Sequence, residues 1–497
     1  MSKITILPSV TEFLSVQHGN FINGAEEQKP DATPHALYNP ATGKVLANVN
    51  KCTVDDMERA VQNAHQAFTD RRWADMRPAD RERILYRLSE LLLEHEETLA
   101  QLETLNQGKS IHISRAVEVK STAEYIRYIA GWTTKITGET IDVSIATPDN
   151  ANFTAYTLKE PIGVVAAIAP WNFPLSIAAW KTIPALAAGC SVVLKPSEET
   201  PLTALYLAKL ALEAGVPAGV FNVLVGADGS IGQALVEHPL IRKVTFTGST
   251  AVGKKVGKAA IDHMAHFSLE LGGKNPMIIM DDVDVDVAVN GIMMGAFLNS
   301  GQVCAAASRI YVHQKIYEKV QRKLQDILLN IKVGDGLDES AQIQPVVSKR
   351  QQEQILNYFS VAQAEGASIL CPDISHLTEG FYVPPAVITN LQVTSRILKE
   401  EIFGPVIALV SFYDINEVIN YANNTDYGLA ASLWTNNLKH TMDLTRKIEA
   451  GTVWVNSHVP LDPAMPFGGV KQSGIGREFG KTAVENFTET KTVCIAH

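Results

Sequence analysis

The spacing of apolar residues predicts a hairpin and then three helices in the first third of the chain. Residues 39–49 read as a hairpin around Thr42-Gly43, and Thr53 and Asp56 form a capping box that starts an amphipathic helix. A second helix begins near Pro78 and runs through residue 104, and a third covers about 113–132. The apolar stripe of the second helix is most simply a packing face.

Between residues 162 and 271 the pattern changes to short apolar runs that alternate with helical spacing. Five runs read as strands, at 162–169, 191–196, 221–226, 243–248 and 268–273. Strands this continuously apolar are typical of a parallel, doubly wound sheet buried on both faces. A second α/β unit follows, with strands at 275–282 and 309–313, helices at 284–299 and 315–331, and later strand segments within 399–410, 430–435 and 450–458. The predicted fold class is α/β.

Residues 139–160 alternate polar and apolar side chains and predict a long projecting hairpin around the turn 148–150. The last segment, 485–496, is also strand-like and could pair beside the hairpin. Long strand edges need a cover, and a second subunit is a common one. A plain surface ribbon is the alternative.

Composition and charge narrow the classes of function. The 497 residues carry a net charge of −10, which argues against a nucleic-acid-binding surface. We expect no membrane segment and no signal peptide. The five cysteines are widely spread and contain no CxxC pair, so we expect reduced thiols in the cytoplasm and no metal site.

Three stretches offer groups for covalent chemistry on a carbonyl compound. Cys304 lies among small residues in SGQVCAAASR, Glu270 lies in LELGGKNP, and Asn172 lies in IAPWNFP. A thiol nucleophile, a carboxylate base and an amide that binds an oxyanion make an acyl-transfer site if the fold brings them together. The alternative for Cys304 is a buried small apolar residue.

The turns after the predicted strands suit a nucleotide. Parallel sheets bind ligands at the carboxyl ends of their strands, where Lys195 and Glu198 follow the second strand. Gly248 and Ser249 open a helix after the fourth strand, and a helix start suits a phosphate. The Glu198 carboxylate favours NAD over NADP, because it can bind ribose hydroxyls and would repel a 2′-phosphate.

Seven motifs, in this order, resemble the NAD(P)-dependent aldehyde dehydrogenase superfamily: PWNFP, LKPSE, FTGS, LELGGKNP, GQVCAAASR, EEIFGPV and PFGGVKQSGIGRE. The segments 102–119, 130–145 and 454–458 are most similar to bacterial phenylacetaldehyde dehydrogenases. The resemblance implies a Rossmann-like NAD-binding domain at 1–138 and 160–271 and a catalytic domain at 272–484. It also implies an oligomerisation arm at 139–159 and 485–497, which would make the protein a homodimer or homotetramer.

The resemblance also implies a role for individual residues. Cys304 would attack the aldehyde, Asn172 and the Cys304 backbone N–H would bind the oxyanion, and Glu270 would activate the water that hydrolyses the thioester. The expected cofactor is NAD, held by Ile168, Trp171, Lys195, Glu198, Gly248, Ser249, Glu401 and Phe403. The expected substrate tunnel is lined by Phe173, Ser176, Ile177, Trp180, Leu298, Val303, His458 and Phe467.

These tunnel residues are aromatic or apolar for the most part, and none is an Arg or Lys that could clamp a second carboxylate. The expected substrate is therefore phenylacetaldehyde or a related aryl aldehyde. Betaine aldehyde, which an aromatic cage could bind, and a broad range of aliphatic aldehydes are alternatives. Less favoured functions are a CoA-acylating dehydrogenase, a cysteine hydrolase and a binding protein without catalysis.

Overall fold

The computed structural model describes residues 4–27, 29, 31–147 and 151–497, and two large sheets organise it. Five neighbouring strands of the first sheet are parallel to one another. In spatial order this eight-stranded sheet comprises Gly474–Ile475, His266–Glu270, Ile241–Thr247, Val164–Ile168, Ser191–Lys195, Phe221–Val223, Phe21–Ile22 and Ala25–Glu26. The five predicted strands are confirmed; the first three are shorter than predicted, and the last two begin and end earlier in the chain.

Burial on both faces explains why this sheet is parallel and covered by helices. Val165 and Ala167 pack into one apolar cluster, whereas Val164, Ala166 and Ile168 pack into another. The helices packed around this sheet are Val54–Thr69, Pro78–Glu94, Glu96–Gln107, Ser121–Ala130, Pro174–Ala188, Leu202–Ala214, Gly229–Glu237 and Thr250–Asp262. The Thr53–Asp56 capping box starts the first of them, as predicted.

The helix predicted from Pro78 to residue 104 is wrong in one respect, because it is two helices. The first ends at Glu94, and His95 leaves the helical conformation (φ −101°, ψ 16°) before Glu96–Gln107 begins. The helix predicted at 113–132 is continuous from residue 111 to 130, with an α-helical turn at Ile111–Ile113, a π-helical segment at Ser114–Lys120 and the helix Ser121–Ala130.

The second sheet has seven strands, all parallel to their neighbours except the first. In spatial order they are Ser368–Leu370, Ala386–Thr389, Val406–Phe412, Ala307–His313, Asn275–Ile279, Ala430–Trp434 and Thr452–Val455. Its helices are Val285–Phe297, Gln314–Asn330, Lys349–Ala364, Arg396–Lys399, Ile415–Asn423 and Leu438–Thr445. The chain returns to the first sheet through Gly474–Ile475, which pairs with His266–Glu270.

The arm differs from the prediction on one side. The terminal strand Thr488–Ala496 pairs antiparallel with Phe153–Pro161 along its full length, as predicted. The other half of the expected hairpin contributes only Thr140–Ile141, and its turn at 148–150 lies outside the described residues. A separate hairpin, Pro34–Asn39 with Lys44–Asn50, is confirmed.

Short elements complete the chain: Pro8–Leu14, Gly480–Glu485 and the 3₁₀ turns Thr133–Lys135, Leu298–Gly301 and Lys471–Ser473. Within the described part of the chain, no helix is both long and apolar enough to cross a membrane.

Candidate active site

Cys304 lies in a rigid turn between Leu298–Gly301 and the strand Ala307–His313. Three successive residues before it, Asn299, Ser300 and Gly301, have positive φ angles of 49°, 53° and 70°. A Cβ on Gly301 would lie 2.1 Å from the Gly404 carbonyl oxygen, so only glycine fits. The turn before Cys304 therefore packs tightly against the segment that carries Glu401 and Phe403.

Side chains from other elements bind the carbonyls of this turn. Asn275 Nδ2 donates hydrogen bonds to the carbonyl oxygens of Cys304 (2.8 Å) and Ala306 (2.9 Å). His458 Nε2 lies 2.8 Å from the Ala305 carbonyl oxygen. The backbone around the thiol is therefore held from both sides.

Asn172 follows the strand Val164–Ile168 and is buried beside the same turn. Its Nδ2 donates a hydrogen bond to the Gln302 carbonyl oxygen at 3.0 Å. The backbone carbonyl oxygen of Asn172 accepts hydrogen bonds from Lys109 Nζ (2.8 Å) and Asn299 Nδ2 (2.9 Å). Because an amide carries two N–H groups, one remains to bind an oxyanion.

Glu270 ends its strand in a buried position, and its Oε2 has no hydrogen-bond partner. Burial raises the pKa of Glu270 well above the ordinary range, and the Glu478 carboxylate raises it further, against the charges of Lys181 and Arg477. A Cβ on Gly468 would lie 2.7 Å from Glu270 Oε1, so this glycine leaves the carboxyl group its space. A buried carboxylate of raised pKa is a stronger base than an exposed one.

The thiol itself is strongly protonated in this environment. Burial raises the pKa of Cys304 to about 12, and the carboxylates of Glu270 and Glu401 add to the effect. The resting Cys304 side chain is therefore a thiol, and it could attack a carbonyl only after a base has removed its proton. Among the carboxylates, Glu270 raises the Cys304 pKa most, which makes it the candidate for that base.

Cys304 opens into a cavity of about 770 Å³. All eight residues proposed for the substrate tunnel line it: Phe173, Ser176, Ile177, Trp180, Leu298, Val303, His458 and Phe467. The Ser176 hydroxyl is occupied by Thr122 Oγ1 at 2.9 Å, so it contributes space rather than polarity. No Asp, Glu, Lys or Arg lines the cavity in the described part of the chain.

Sequence reasoning missed an aromatic cluster in the cavity wall. The Phe479 ring centroid lies 4.9 Å from that of Trp180, 5.0 Å from Tyr125 and 6.4 Å from Phe467. Tyr125 lies in the helix Ser121–Ala130, and Phe479 directly precedes the helix Gly480–Glu485. No local signal in the sequence joins Tyr125 to Phe479. Other lining residues not predicted include Met294, Trp434 and Trp454, whereas the lining residues of the 459–463 loop agree with the expectation that this loop lies at the mouth of the tunnel.

The residues predicted to bind a nucleotide fall into two groups. Near Cys304, Trp171 packs edge-on against Phe403, with ring centroids 5.3 Å apart, and Glu401 accepts a hydrogen bond from Gly273 N at 3.0 Å. Burial raises the pKa of Glu401 to about 7. Phe403 has a φ of 57°, a strained conformation of the kind that recurs at functional sites.

The second group lies at the carboxyl ends of the first sheet. Ile168 and Lys195 are register partners that end neighbouring strands. Burial lowers the pKa of Lys195, and the Glu198 carboxylate opposes that shift, so the two side chains are close. Ser249 caps the helix Thr250–Asp262, with Val252 N donating to its Oγ at 3.4 Å. Gly248 precedes this helix start, where backbone N–H groups suit a phosphate.

Comparison with known proteins decides the family. Residues 27–493 match the sequence profile of the Aldehyde dehydrogenase family. The chain belongs to this family. It is 46% identical to the phenylacetaldehyde dehydrogenase of Pseudomonas fluorescens over 493 residues, which covers 99% of this chain and 98% of that protein. The chain is also 44% identical to the putative aldehyde dehydrogenase DhaS of Bacillus subtilis, over 100% of this chain and 99% of that protein.

Solved aldehyde dehydrogenases share the whole fold. An NAD+ complex of the aldehyde dehydrogenase of Bacillus cereus superposes with a TM-score of 0.95 at 44% identity, covering 100% of both chains. The betaine aldehyde dehydrogenase of Staphylococcus aureus, also with NAD+, gives 0.94 at 38% identity and covers 98% of this chain and 97% of that one.

Proposed function

We propose that this aldehyde dehydrogenase oxidises an arylacetaldehyde, phenylacetaldehyde in the first place, to its carboxylic acid with NAD as the hydride acceptor. The observation that carries the proposal is the position of Cys304 at an uncharged, aromatic-walled cavity, with Asn172 hydrogen-bonded to the turn that bears the thiol. The buried Glu270 carboxyl group raises the pKa of this thiol. The 46% identity to a phenylacetaldehyde dehydrogenase supports the aryl substrate.

The first step is attack of the Cys304 sulfur on the aldehyde carbon. Glu270 accepts the thiol proton, the S–C bond forms and the carbonyl oxygen becomes an oxyanion. The free Asn172 N–H and the Cys304 backbone N–H would donate hydrogen bonds to that oxyanion, which stabilises charge only where it develops.

When bound, NAD would supply the acceptor for the hydride that leaves the former aldehyde carbon as the oxyanion collapses to a carbonyl, and a thioester would remain on Cys304. Glu270 first releases the thiol proton to solvent. Water then attacks the thioester carbon as Glu270 accepts a water proton, and the acid leaves as the C–S bond breaks. The Cys304 sulfur departs as a thiolate and takes this proton back from Glu270, which restores the thiol. Glu270 thus acts twice as a base, for which its raised pKa suits it.

The residues present fit NAD. The capped start of Thr250–Asp262 suits the pyrophosphate, Lys195 and Glu198 suit the adenosine ribose, and Glu401 with Phe403 suits the nicotinamide ribose. The partly exposed Glu198 carboxylate would repel a 2′-phosphate, so we expect a preference for NAD over NADP.

Betaine aldehyde is the second candidate, because the Tyr125–Trp180–Phe479 cluster could also surround a trimethylammonium group. The lining offers no carboxylate to assist a cation, which favours the neutral aryl substrate. The test is NADH formation by the purified protein with phenylacetaldehyde, betaine aldehyde and a short aliphatic aldehyde. A clear advantage in kcat/KM for phenylacetaldehyde supports the proposal, and an advantage for either other substrate contradicts the aryl assignment.

We further propose that the arm forms a homodimer or homotetramer. The strand Thr488–Ala496 is the outer edge of its three-stranded sheet and is exposed along most of its length, which suits pairing with another subunit. The domain boundaries given above and a cytoplasmic location stay predictions.

A further inference from the structure

A directed chain of hydrogen bonds crosses the cavity wall to the nucleophile turn. Trp434 Nε1 can only donate, and it lies 3.2 Å from Ser432 Oγ. The Ser432 hydroxyl is therefore free to donate its own proton to His458 Nδ1, 2.8 Å away. His458 Nε2 then carries the ring proton and donates it to the Ala305 carbonyl oxygen at 2.8 Å. Each donor in this chain meets an acceptor, and the chain specifies one tautomer of His458.

The ring at the centre of this chain is neutral. Burial lowers the pKa of His458 to about 4, so the imidazole carries no charge near neutral pH. Both of its nitrogens are occupied by protein atoms, and its ring centroid lies 5.1 Å from that of Trp454. His458 therefore has no free nitrogen for an aldehyde or a water molecule.

His458 and Asn275 together bind three consecutive backbone carbonyls, beginning at Cys304. Asn275 binds the carbonyls of Cys304 and Ala306, and His458 binds that of Ala305 between them. The two side chains thus fix three consecutive peptide units at the nucleophile. Asn275 opens the strand Asn275–Ile279, whereas His458 is linked to the neighbouring strand Ala430–Trp434.

We propose that His458 is a positioning residue: through the Trp434–Ser432–His458 chain it orients the Cys304 peptide, and hence the thiol, toward the aldehyde cavity. This inference rests on the proposed role of Cys304 as the nucleophile. It predicts that the reactivity of the thiol depends on a donor at the His458 Nε2 position, not on the imidazole as an acid or base.

The test compares His458→Leu, which removes the donor, with His458→Gln, whose amide can restore it. Two rates are measured: alkylation of Cys304 by iodoacetamide without substrate, located by peptide mapping, and the NADH burst with phenylacetaldehyde. In His458→Leu both rates should fall by roughly 10- to 100-fold, the cost of a misplaced reacting group. His458→Gln should recover most of the loss. Ser432→Ala, which removes the hydrogen-bond partner of both His458 Nδ1 and Trp434 Nε1 and leaves the Nε2 donor in place, should lie between them.

The control is His18→Leu. His18 is also buried, with Nδ1 bonded to Glu26 and Nε2 2.8 Å from the Phe13 carbonyl oxygen, but it does not line the cavity. Its loss should lower thermal stability and leave the alkylation rate unchanged. Wild-type rates in His458→Leu, no rescue by His458→Gln, or an equal loss in His18→Leu would overturn the inference. A wild-type enzyme that is alkylated at Cys304 but gives no burst would instead refute the proposed substrate.

Discussion

At the scale of single residues, the chemistry depends on where protons reside. Glu270 is protonated below its raised pKa and then cannot accept a proton from the thiol or from water. We expect kcat to rise with pH through this pKa, so that its acid limb lies above the usual carboxylate range of about 4.3. Lys181→Met removes a cation that lowers the Glu270 pKa, and it should move the acid limb to higher pH. Measured pH–rate profiles in which the limb stays in place or moves down would contradict this assignment.

A second residue-scale prediction concerns cofactor choice. Glu198→Gln removes the charge expected to repel a 2′-phosphate and keeps the size of the side chain. The ratio of kcat/KM for NAD to that for NADP should fall by roughly five- to tenfold, the effect of about 1 kcal/mol of lost repulsion. The neighbouring Glu199 also carries a charge, so Glu199→Gln is the matched control and should leave the ratio near its wild-type value. If Glu198→Gln and Glu199→Gln change this ratio equally, Glu198 does not determine the cofactor preference through the adenosine ribose.

Residue identities in the candidate site could be predicted where they lie in recognisable motifs. Cys304, Glu270 and Asn172 occur in such motifs, and the structure places Asn172 against the turn that carries Cys304. Tyr125 and the partners of His458 could not be predicted, because their roles arise from side chains far apart in the chain. Nothing near Ser432 or Ala305 in the sequence indicates that a histidine joins them.

At the scale of elements, the turn before Cys304 depends on one glycine. Gly301→Ala places a Cβ 2.1 Å from the Gly404 carbonyl oxygen at a φ of 70°. The strained backbone alone costs about 1–3 kcal/mol, and the clash adds to it. We expect a lower melting temperature and a large loss of kcat. Gly229→Ala is the control, since nothing lies within 4 Å of a Cβ there and its φ is not positive, and it should behave as wild type. A normal melting temperature and activity for Gly301→Ala would show that the turn is not locked.

Periodicity predicted elements well where burial is uniform and poorly where it is not. The parallel strands are apolar on both faces, so each stands out as a continuous run. The break at His95 was missed because helical spacing persists on both sides of it. The short strand Thr140–Ile141 was predicted too long because alternation continues past the residues that pair.

At the scale of the whole molecule, the arm is expected to control assembly. A chain ending after Phe487 lacks the strand Thr488–Ala496 and leaves Phe153–Pro161 without its partner on that side. We expect this variant to have a lower mass by size-exclusion chromatography with light scattering than the full chain. Near-ultraviolet circular dichroism is the control for folding. A folded variant with the mass of the full assembly would show that the arm does not hold the subunits together.

The most direct test of the central claim, covalent catalysis by Cys304 with Glu270 as the base, uses Glu270→Gln. Mixed with phenylacetaldehyde and NAD, this variant should form NADH more slowly than the wild type, because the Cys304 thiol has lost its base. It should then stop at about one NADH per active site, because hydrolysis of the thioester is slowed still further. Mass spectrometry of the quenched protein should find one phenylacetyl group on the peptide that contains Cys304, and none in Cys304→Ala. Steady wild-type turnover by Glu270→Gln, or an acyl group on another residue, would contradict the account.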